Sequence, residues 1–361
     1  MTDILKPDLI WIEGRCYRTN DSNTELTSFQ EHDLYESEET FDNMLGEGEE
    51  DDCEITALDN FRFSTNIHVS QYYLGAIIGK KGAMRMRIER DTKTELKIPK
   101  HGQTGDIMIY GSSAANLKAA RRRINIIVMS SRMKQRPTHF ISIPVNSVEI
   151  MENFKKFKEL VLRDCANSRG LDASLFIEPQ KLHLTVGIMC LMDNEERLHA
   201  SKLLTEANEK IVIPLLQDHM PLKLRVKDLS YMNDDPTNMN VLYGCVQEDW
   251  ATTGVLQRLA DSLVQFFYNA GYMNNKDYGR DNVKLHVTMI NSSYRKSSTN
   301  VDESAGFTRQ RKVAFDGSEI LEKYANFDFG VTELNYLHLS LIHSTGSDGY
   351  YQSTCVIPCN K

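Results

Sequence analysis

Apolar residues between positions 58 and 136 change repeatedly between two spacings. They alternate with polar residues where a strand is expected, and they recur three or four apart where a helix is expected. In order, the pattern predicts strand, helix, glycine loop, helix, strand, strand and helix. The predicted strands are 61–69, 95–98 and 106–110, and the predicted helices are 72–78, 83–90 and 116–133. Pro137 then marks a boundary, so we predict an α+β domain over residues 58–136.

From residue 137 to the end, strand-like and helix-like spacings alternate again. The predicted strands are 139–145, 182–189, 222–232, 241–246, 283–291 and 331–341. The predicted helices are one that ends near Cys165, followed by 194–211, 255–270 and 317–324. The two parts of this stretch have a similar order of elements. This order predicts a second, bilobal α+β domain over residues 137–361, built from two similar halves.

Residues 1–57 lack the apolar content of these two domains. Two short extended runs flank Glu13–Gly14 within residues 9–18 and predict a hairpin. Twelve acidic residues and no lysine or arginine lie between Glu31 and Glu54. Such a segment cannot bury enough apolar surface to fold, so we predict a disordered acidic leader. Without these residues the chain has 42 basic and 38 acidic residues, a mildly basic remainder that permits a polyanionic partner.

The cysteines and the apolar runs exclude several classes of protein. The seven cysteines are scattered and include no Cys-x-x-Cys pair. This pattern argues against a zinc ribbon or a disulfide framework and predicts free thiols in a reducing compartment. The first residues lack the apolar run of a signal peptide, and no later stretch is apolar for long enough to cross a bilayer. We therefore expect a soluble intracellular protein that binds no membrane.

The loop Gly79-Lys80-Lys81-Gly82 directly follows Ile78 and lies between two predicted helices. Glycine lets the backbone approach a phosphate closely. The lysines add cationic donors, and the next helix presents its N-terminus to an anion. Alternatively, the loop is an exposed turn whose lysines bind nothing. Residues 75–82 resemble the Ile-Gly-x-x-Gly signature of KH domains, and the surrounding order of elements resembles the eukaryotic type.

The KH resemblance implies that the domain binds single-stranded RNA through Ile78 and the four loop residues. Aliphatic side chains such as Ile78, Leu96 and Ile98 are expected to form the floor of a groove for unstacked bases. Position 85 is arginine where the family usually has an aliphatic residue. We therefore expect Met84 and Ile88 to supply the packing of this helix.

An internal repeat gives the second signal. The segment Lys-Leu-His-Leu-Thr at 181–185 recurs as Lys-Leu-His-Val-Thr at 284–288. Residues two apart in a strand face the same way, so His183 shares a surface with Thr185, and His286 shares one with Thr288. If a pseudo-two-fold axis relates the two halves, these side chains converge on one groove. Alternatively, each histidine is a core residue bonded to a backbone carbonyl, but the repeated threonine favours a site.

The paired motifs resemble those of the two-histidine, LigT-like phosphoesterase superfamily over residues 138–361. The resemblance implies chemistry without a metal or another cofactor, at an RNA phosphodiester or a 2′,3′-cyclic phosphate. One histidine would act as general base and the other as general acid, while Thr185 and Thr288 donate hydrogen bonds to phosphate oxygens. A site that binds phosphate without turnover remains an alternative. Arg295 and Lys296 are candidate phosphate contacts, and His338, in a partial repeat of the motif, is interpreted as structural.

The combination of hairpin, acidic leader, KH module and phosphoesterase resembles one family of subunits from nuclear complexes that contain a helicase. Residues 9–18, 231–236 and 284–291 carry this resemblance. It implies a nuclear location without excluding the cytoplasm, a helicase subunit as partner, and roles in transcription coactivation and in repair of alkylated DNA. The alternative is a non-catalytic RNA-binding adaptor that recruits or regulates the helicase complex. The oligomeric state cannot be inferred from the sequence.

Overall fold

The computed structural model describes residues 8–12, 15–19, 54–59, 62–100, 103, 105–249, 252–273, 282–295 and 313–359. The chain divides into two compact units, Met1–Asn43 and Met44–Lys361. The first unit contains β1 (Asp8–Ile12) and β2 (Arg15–Thr19), which pair antiparallel, as the sequence predicts. The predicted turn at Glu13–Gly14 and residues 20–53 of the predicted disordered leader lie outside the described residues.

The first part of the second unit is a four-stranded antiparallel sheet with three helices. Its strands are β3 (Thr56–Asp59), β4 (Arg62–Ile67), β5 (Thr94–Lys97) and β6 (Ile107–Gly111), in the order β3-β4-β6-β5. Its helices are α1 (Gln71–Ile78), α2 (Ala83–Thr92) and α3 (Ala114–Arg132). Tyr73, Ile88 and Ile109 are fully buried in its core. Strand β3 was not predicted, because Thr-Ala-Leu-Asp has no alternating apolar pattern. Its first residues, Thr56 and Ala57, were assigned to the disordered leader that ends at residue 57, but they pair with Ser64 and Phe63 of β4, so this end of the leader is wrong.

The remainder of this unit contains an eight-stranded antiparallel sheet. The strands are β7 (His139–Pro144), β8 (His183–Met189), β9 (Lys223–Tyr231), β10 (Val241–Glu248), β11 (Val287–Asn291), β12 (Asp328–Glu333), β13 (Tyr336–Leu341) and β14 (Ser353–Pro358). The helices are α4 (Val148–Asp164), α5 (Asn194–Ala207), α6 (Ile213–Leu216), α7 (Val255–Asn269) and α8 (Ser318–Tyr324). None of the described helices has the length and apolarity that crossing a membrane requires.

The sheet consists of two four-stranded halves that meet at β8 and β11. The strand order is β12-β9-β10-β11 in one half and β8-β7-β13-β14 in the other. The register between the halves joins Leu184 to Val287. Both side chains are fully buried in one continuous apolar core, which also takes in residues of α4, α5 and α7. Strand residues that face this core alternate with residues on the opposite face, and that opposite face carries the polar residues of the repeat.

The strands of this sheet differ from the prediction in three places. The predicted strand 331–341 is two strands, β12 and β13, which lie in different halves of the sheet. Leu334 is itself fully buried, so the apolar pattern continues through the connection and conceals it. The predicted strand 283–291 begins only at Val287, one residue after His286. Strand β14 was not predicted.

Helix α3 belongs to the four-stranded domain, which contains β3–β6. It ends against the domain that contains the eight-stranded sheet. The Arg132 side chain is only 8% exposed, and it donates hydrogen bonds to the Glu196 carboxylate at 2.6 Å and to the Gly271 carbonyl at 2.7 Å. Its guanidinium lies 4.4 Å from the centroid of the Tyr272 ring. Glu196, on α5, also accepts a hydrogen bond from the Met192 backbone N–H. Because both charges have partners, this buried ion pair is tolerated and links the two domains.

Substitution of Glu196 by alanine is expected to lower the free energy of unfolding by about 3–5 kcal/mol, since it leaves the Arg132 guanidinium buried without its counter-charge. Urea denaturation followed by fluorescence measures this loss. Glu206→Ala, which removes the exposed partner of Lys210 near the end of the same helix, is the matched control. It should cost less than about 1 kcal/mol. Equal losses in the two variants would contradict a special role for the buried pair.

Candidate functional sites

The polar side chains of the repeated motifs lie together where β8 meets β11: they are His183, Thr185, His286 and Thr288. Leu184 pairs with Val287 on the core side, so the motif residues that flank this pair lie on the opposite face of the sheet. His286 lies close enough to His183 for its charge to lower the pKa of His183. All four side chains are partly exposed, in contrast to the buried pair between them. The structure therefore brings both motifs onto one face.

Each histidine ring is held by a backbone carbonyl two residues earlier. Nδ1 of His183 lies 2.7 Å from the Lys181 carbonyl oxygen, and Nδ1 of His286 lies 2.7 Å from the Lys284 carbonyl oxygen. Because a carbonyl oxygen only accepts, Nδ1 of each ring carries the hydrogen and donates it. Nε2 of each neutral ring is then the nitrogen with the lone pair, as a general base requires.

Aromatic rings enclose His183. Tyr351 meets it edge-on with 5.2 Å between ring centroids, and Phe140 lies at 5.1 Å. The Lys181 ammonium lies 5.5 Å from the centroid of Tyr351 and 3.2 Å from the carboxylate of Glu178. These contacts fix the imidazole and neutralise the nearby lysine.

His286 has a similar but more open environment. Tyr243 meets it edge-on at 5.3 Å, and the Lys284 ammonium lies 5.0 Å from the centroid of Tyr243. The lysine–tyrosine–histidine arrangement of the first motif is thus repeated. Lys284 differs from Lys181 in having no acidic partner within the part of the chain that the structure describes. The second half of the site therefore retains a positive charge that the first half neutralises.

Both histidine rings resist protonation. Burial lowers the pKa of His183 to about 4; the Lys181 carbonyl opposes this effect, and the charge of His286 adds to it. Burial also lowers the pKa of His286, with the charge of Lys284 in the same direction and the Lys284 carbonyl opposed. Both rings are therefore mainly neutral at pH 7.

The predicted phosphate contact Arg295 has partners outside the paired motifs. The Arg295 guanidinium donates a hydrogen bond to the Gly170 carbonyl, and its Nε lies 3.4 Å from the Asp172 carboxylate. Lys296 lies outside the described residues. Their phosphate role stays a prediction. Among the described residues, no group of three or more histidine, cysteine, aspartate or glutamate side chains is arranged to hold a metal ion.

The glycine loop forms a tight turn between α1 and α2. Gly79 has a φ of 68°, and a Cβ at this position would lie 2.7 Å from the Met84 Cβ, so only glycine fits. Lys81 has a φ of 53°, an uncommon value for a residue with a side chain. Lys80 and Lys81 are both exposed, and Gly82 directly precedes α2. The loop thus presents two cations beside a helix N-terminus, an arrangement suited to an anion.

The residues around the loop partly match the predicted groove. Ile78, at the end of α1, is 36% exposed beside the loop. Leu96 is fully buried in the core, so the prediction that it forms a groove floor is wrong. Ile88 is also fully buried and supplies the expected packing of α2, while Arg85 is accommodated by an ion pair with Glu89 at 3.0 Å.

Comparisons with known proteins agree with the order of the two domains, the four-stranded domain first and the eight-stranded domain second. A family model described as the KH domain matches residues 64–126, and one described as the AKAP7 2′5′ RNA ligase-like domain matches residues 137–358. Activating signal cointegrator 1 complex subunit 1 of Mus musculus is 33% identical over 359 residues, which cover 97% of this chain and 98% of the mouse protein. This chain belongs to the same family. The crystal structure of E. coli LigT complexed with NADP+ covers 62% of this chain and 98% of the LigT chain, with 14% identity and a TM-score of 0.31.

The family matches confirm a KH domain followed by a LigT-like domain. Sequence reasoning singles out Tyr243 as a residue that could stack a base, with a core position as the alternative, but it missed Phe140 and Tyr351 beside His183. Lys181 and Lys284 stand in the repeat itself, so the pattern contained a signal for them. Tyr351 precedes the unpredicted strand β14, and nothing in the sequence pattern relates it to Tyr243.

Histidine titration tests the environment of the site directly. In an NMR pH titration, we expect His183 to titrate near pH 4 and His286 below 6.5. Tyr351→Ala should raise the pKa of His183, because it admits water to the ring. Tyr243→Ala, the matched change in the other half, should raise the pKa of His286 instead. A His183 that titrates near 6.5 in the unsubstituted protein would contradict this account.

Proposed function

We propose that the LigT-like domain is an RNA phosphoesterase acting on a 2′,3′-cyclic phosphate or a related RNA phosphodiester. The observation that carries the proposal is the arrangement of two His-x-Thr motifs on one face, each with the imidazole Nδ1 bonded to a carbonyl. Two neutral imidazoles with Nε2 available can exchange protons with a substrate between them. Thr185 and Thr288 supply hydroxyl donors for non-bridging phosphate oxygens.

In the proposed reaction, water attacks phosphorus while one imidazole Nε2 accepts a proton from it. The bond between phosphorus and one ribose oxygen breaks, and the other imidazole donates a proton to that oxygen. The products are a phosphate monoester and a ribose hydroxyl. Proton exchange with solvent then restores both histidines. Acid and base are supplied by the protein alone, so the proposed reaction needs no metal.

We assign the base to His183 and the acid to His286. The His183 ring is enclosed by Phe140 and Tyr351, and its low pKa keeps it unprotonated at pH 7. His286 contacts one aromatic ring and is the more open of the two. A bound phosphate places negative charge beside His286, which favours its protonated form. The more exposed imidazole is therefore the one that can carry the proton for the leaving oxygen.

Turnover of short RNAs with and without a 2′,3′-cyclic end tests this function. His183→Ala and His286→Ala should each lower the rate by about a hundredfold or more, and EDTA should have no effect. His219→Ala is the control, because His219 lies between α6 and β9 and forms none of the contacts described above. If the wild-type protein binds these RNAs and leaves them intact, the non-catalytic adaptor is the better description.

For the KH domain we propose binding of single-stranded RNA through the loop 79–82 and Ile78. The exposed lysines, the left-handed backbone of the loop and the adjacent helix N-terminus support it. The mouse relative is named as a subunit of the activating signal cointegrator 1 complex. We extend the proposal to membership of such a complex, with a helicase subunit as partner and the nucleus as the site of action.

Gly79→Ala is expected to weaken binding of single-stranded octanucleotides by about tenfold, because the added Cβ displaces Met84 and the left-handed backbone is strained. Fluorescence anisotropy measures the affinity. Gly75→Ala, one turn earlier on α1, is the matched control, since its Cβ meets no atom within 4 Å. Lys80→Asp with Lys81→Asp tests the same loop without altering its glycines. Unchanged affinity in this double variant would contradict the proposed RNA contact.

A further inference from the structure

A row of aromatic rings leads away from His183 towards an edge of the sheet. Successive ring centroids are 5.2 Å apart from His183 to Tyr351, from Tyr351 to Tyr350 and from Tyr350 to His338. The last ring, Tyr336, lies 6.2 Å from His338. Every contact in the row is edge-to-face, a favourable arrangement for aromatic pairs. The row physically connects the proposed catalytic histidine to a tyrosine outside the site described so far.

The strand register places His338 on the same face as the paired motifs. His338 lies opposite Ser142, and Ser142 lies opposite Thr185. Directly opposite residues share a face, so the three side chains form a line across β13, β7 and β8. Two strand spacings separate His338 from Thr185, or about 10 Å. A dinucleotide can span this distance.

The end of the row is exposed and apolar. Tyr336 is 51% exposed, and Val356, which pairs with His338 from the edge strand β14, is 40% exposed. Tyr350, by contrast, is 3% exposed, with its hydroxyl 2.9 Å from the Ser142 hydroxyl. Tyr350 therefore acts as a buried support, while Tyr336 offers a ring to solvent. An exposed aromatic ring on a nucleic-acid-binding surface can stack an unpaired base.

His338 has the opposite tautomer to the two proposed catalytic histidines. Its Nδ1 is buried and has no hydrogen-bond partner in the described part of the chain. Burying an N–H without an acceptor is costly and rare, so the hydrogen belongs on Nε2. Burial lowers the pKa of His338, and the Asp348 carboxylate offsets part of this change. His338 thus presents a neutral Nε2–H donor, whereas His183 and His286 present a lone pair.

We propose that Tyr336, His338 and Val356 form a subsite for the nucleotide that adjoins the one whose phosphate lies between His183 and His286. The base of this neighbouring nucleotide stacks on Tyr336 beside Val356, and its carbonyl or ring nitrogen accepts a hydrogen bond from His338 Nε2. The ligand is single-stranded RNA of at least two nucleotides. The inference rests on the proposed function for the position of the phosphate.

Calorimetric titration of the full-length protein with 3′-UMP and with the 3′-phosphorylated dinucleotide UpUp tests the subsite. All variants carry Lys80→Asp and Lys81→Asp, so that the KH loop does not contribute. The dinucleotide should bind about tenfold more tightly than 3′-UMP, and Tyr336→Ala should remove this advantage. His338→Phe should weaken dinucleotide binding by about three- to tenfold. His338→Gln, which keeps an N–H donor, and Tyr336→Phe, which keeps the ring, should retain most of the affinity.

Val148→Ala is the control for loss of an exposed apolar side chain, because Val148 is 66% exposed at the start of α4. Its dinucleotide affinity should equal that of the parent protein, which carries only Lys80→Asp and Lys81→Asp. Equal affinity for the two ligands in the parent, or binding of neither, would overturn the subsite. So would a Tyr336→Ala variant that weakens both ligands alike. Turnover of uridine 2′,3′-cyclic phosphate is measured separately: its absence together with a dinucleotide preference overturns the catalysis and leaves the subsite standing.

Discussion

The pairing of Leu184 with Val287 is the contact on which the candidate site depends. It joins the two halves of the sheet, and burial of each side chain contributes roughly 1.5–3 kcal/mol. The alternation of a strand then requires the neighbours of these residues to face the other way. A slip of one residue in either strand would turn a histidine and a threonine into the core and bring an aliphatic side chain out. The apolar core thus selects the register that assembles the polar site.

The same burial that fixes the register also determines the acid–base properties of the site. An imidazole enclosed by aromatic rings resists protonation, which suits a general base. A general acid needs the reverse, and burial lowers the pKa of both histidines. Under the proposed function, a phosphate bound between the rings corrects this imbalance, because its charge favours a proton on one of them. The greater enclosure of His183 leaves His286 as the ring that would take up this proton, so binding of phosphate would itself complete the acid–base pair.

Most of the fold and the centre of the site followed from local patterns. The KH loop and the repeated motif have their functional residues close together in the sequence, and alternation alone predicts which of them share a face. The surroundings of His183 did not follow, since Phe140, Tyr351 and Glu178 come from three separate segments. The connection at Leu334 was hidden for a related reason: a buried turn residue continues the apolar pattern of the strands on either side. Local spacing specifies faces and motifs, whereas contacts between distant segments depend on strand order.

The junction between the KH and LigT-like domains limits how one RNA strand can reach both sites. Arg132 and Glu196 form a buried ion pair there, and His68 bridges Asp106 at 3.2 Å and Asp193 at 3.1 Å. Burial opposes protonation of His68, but hydrogen bonds to the two carboxylates raise its pKa overall. Buried charges are stable only when their partners keep a defined geometry, so this junction favours one arrangement of the domains over a freely jointed one. If one RNA strand occupies both proposed sites, this arrangement restricts its path from the KH loop to the paired histidines. Under the proposed function, the choice of phosphodiester would then depend on distance along the strand as well as on chemistry at the histidines.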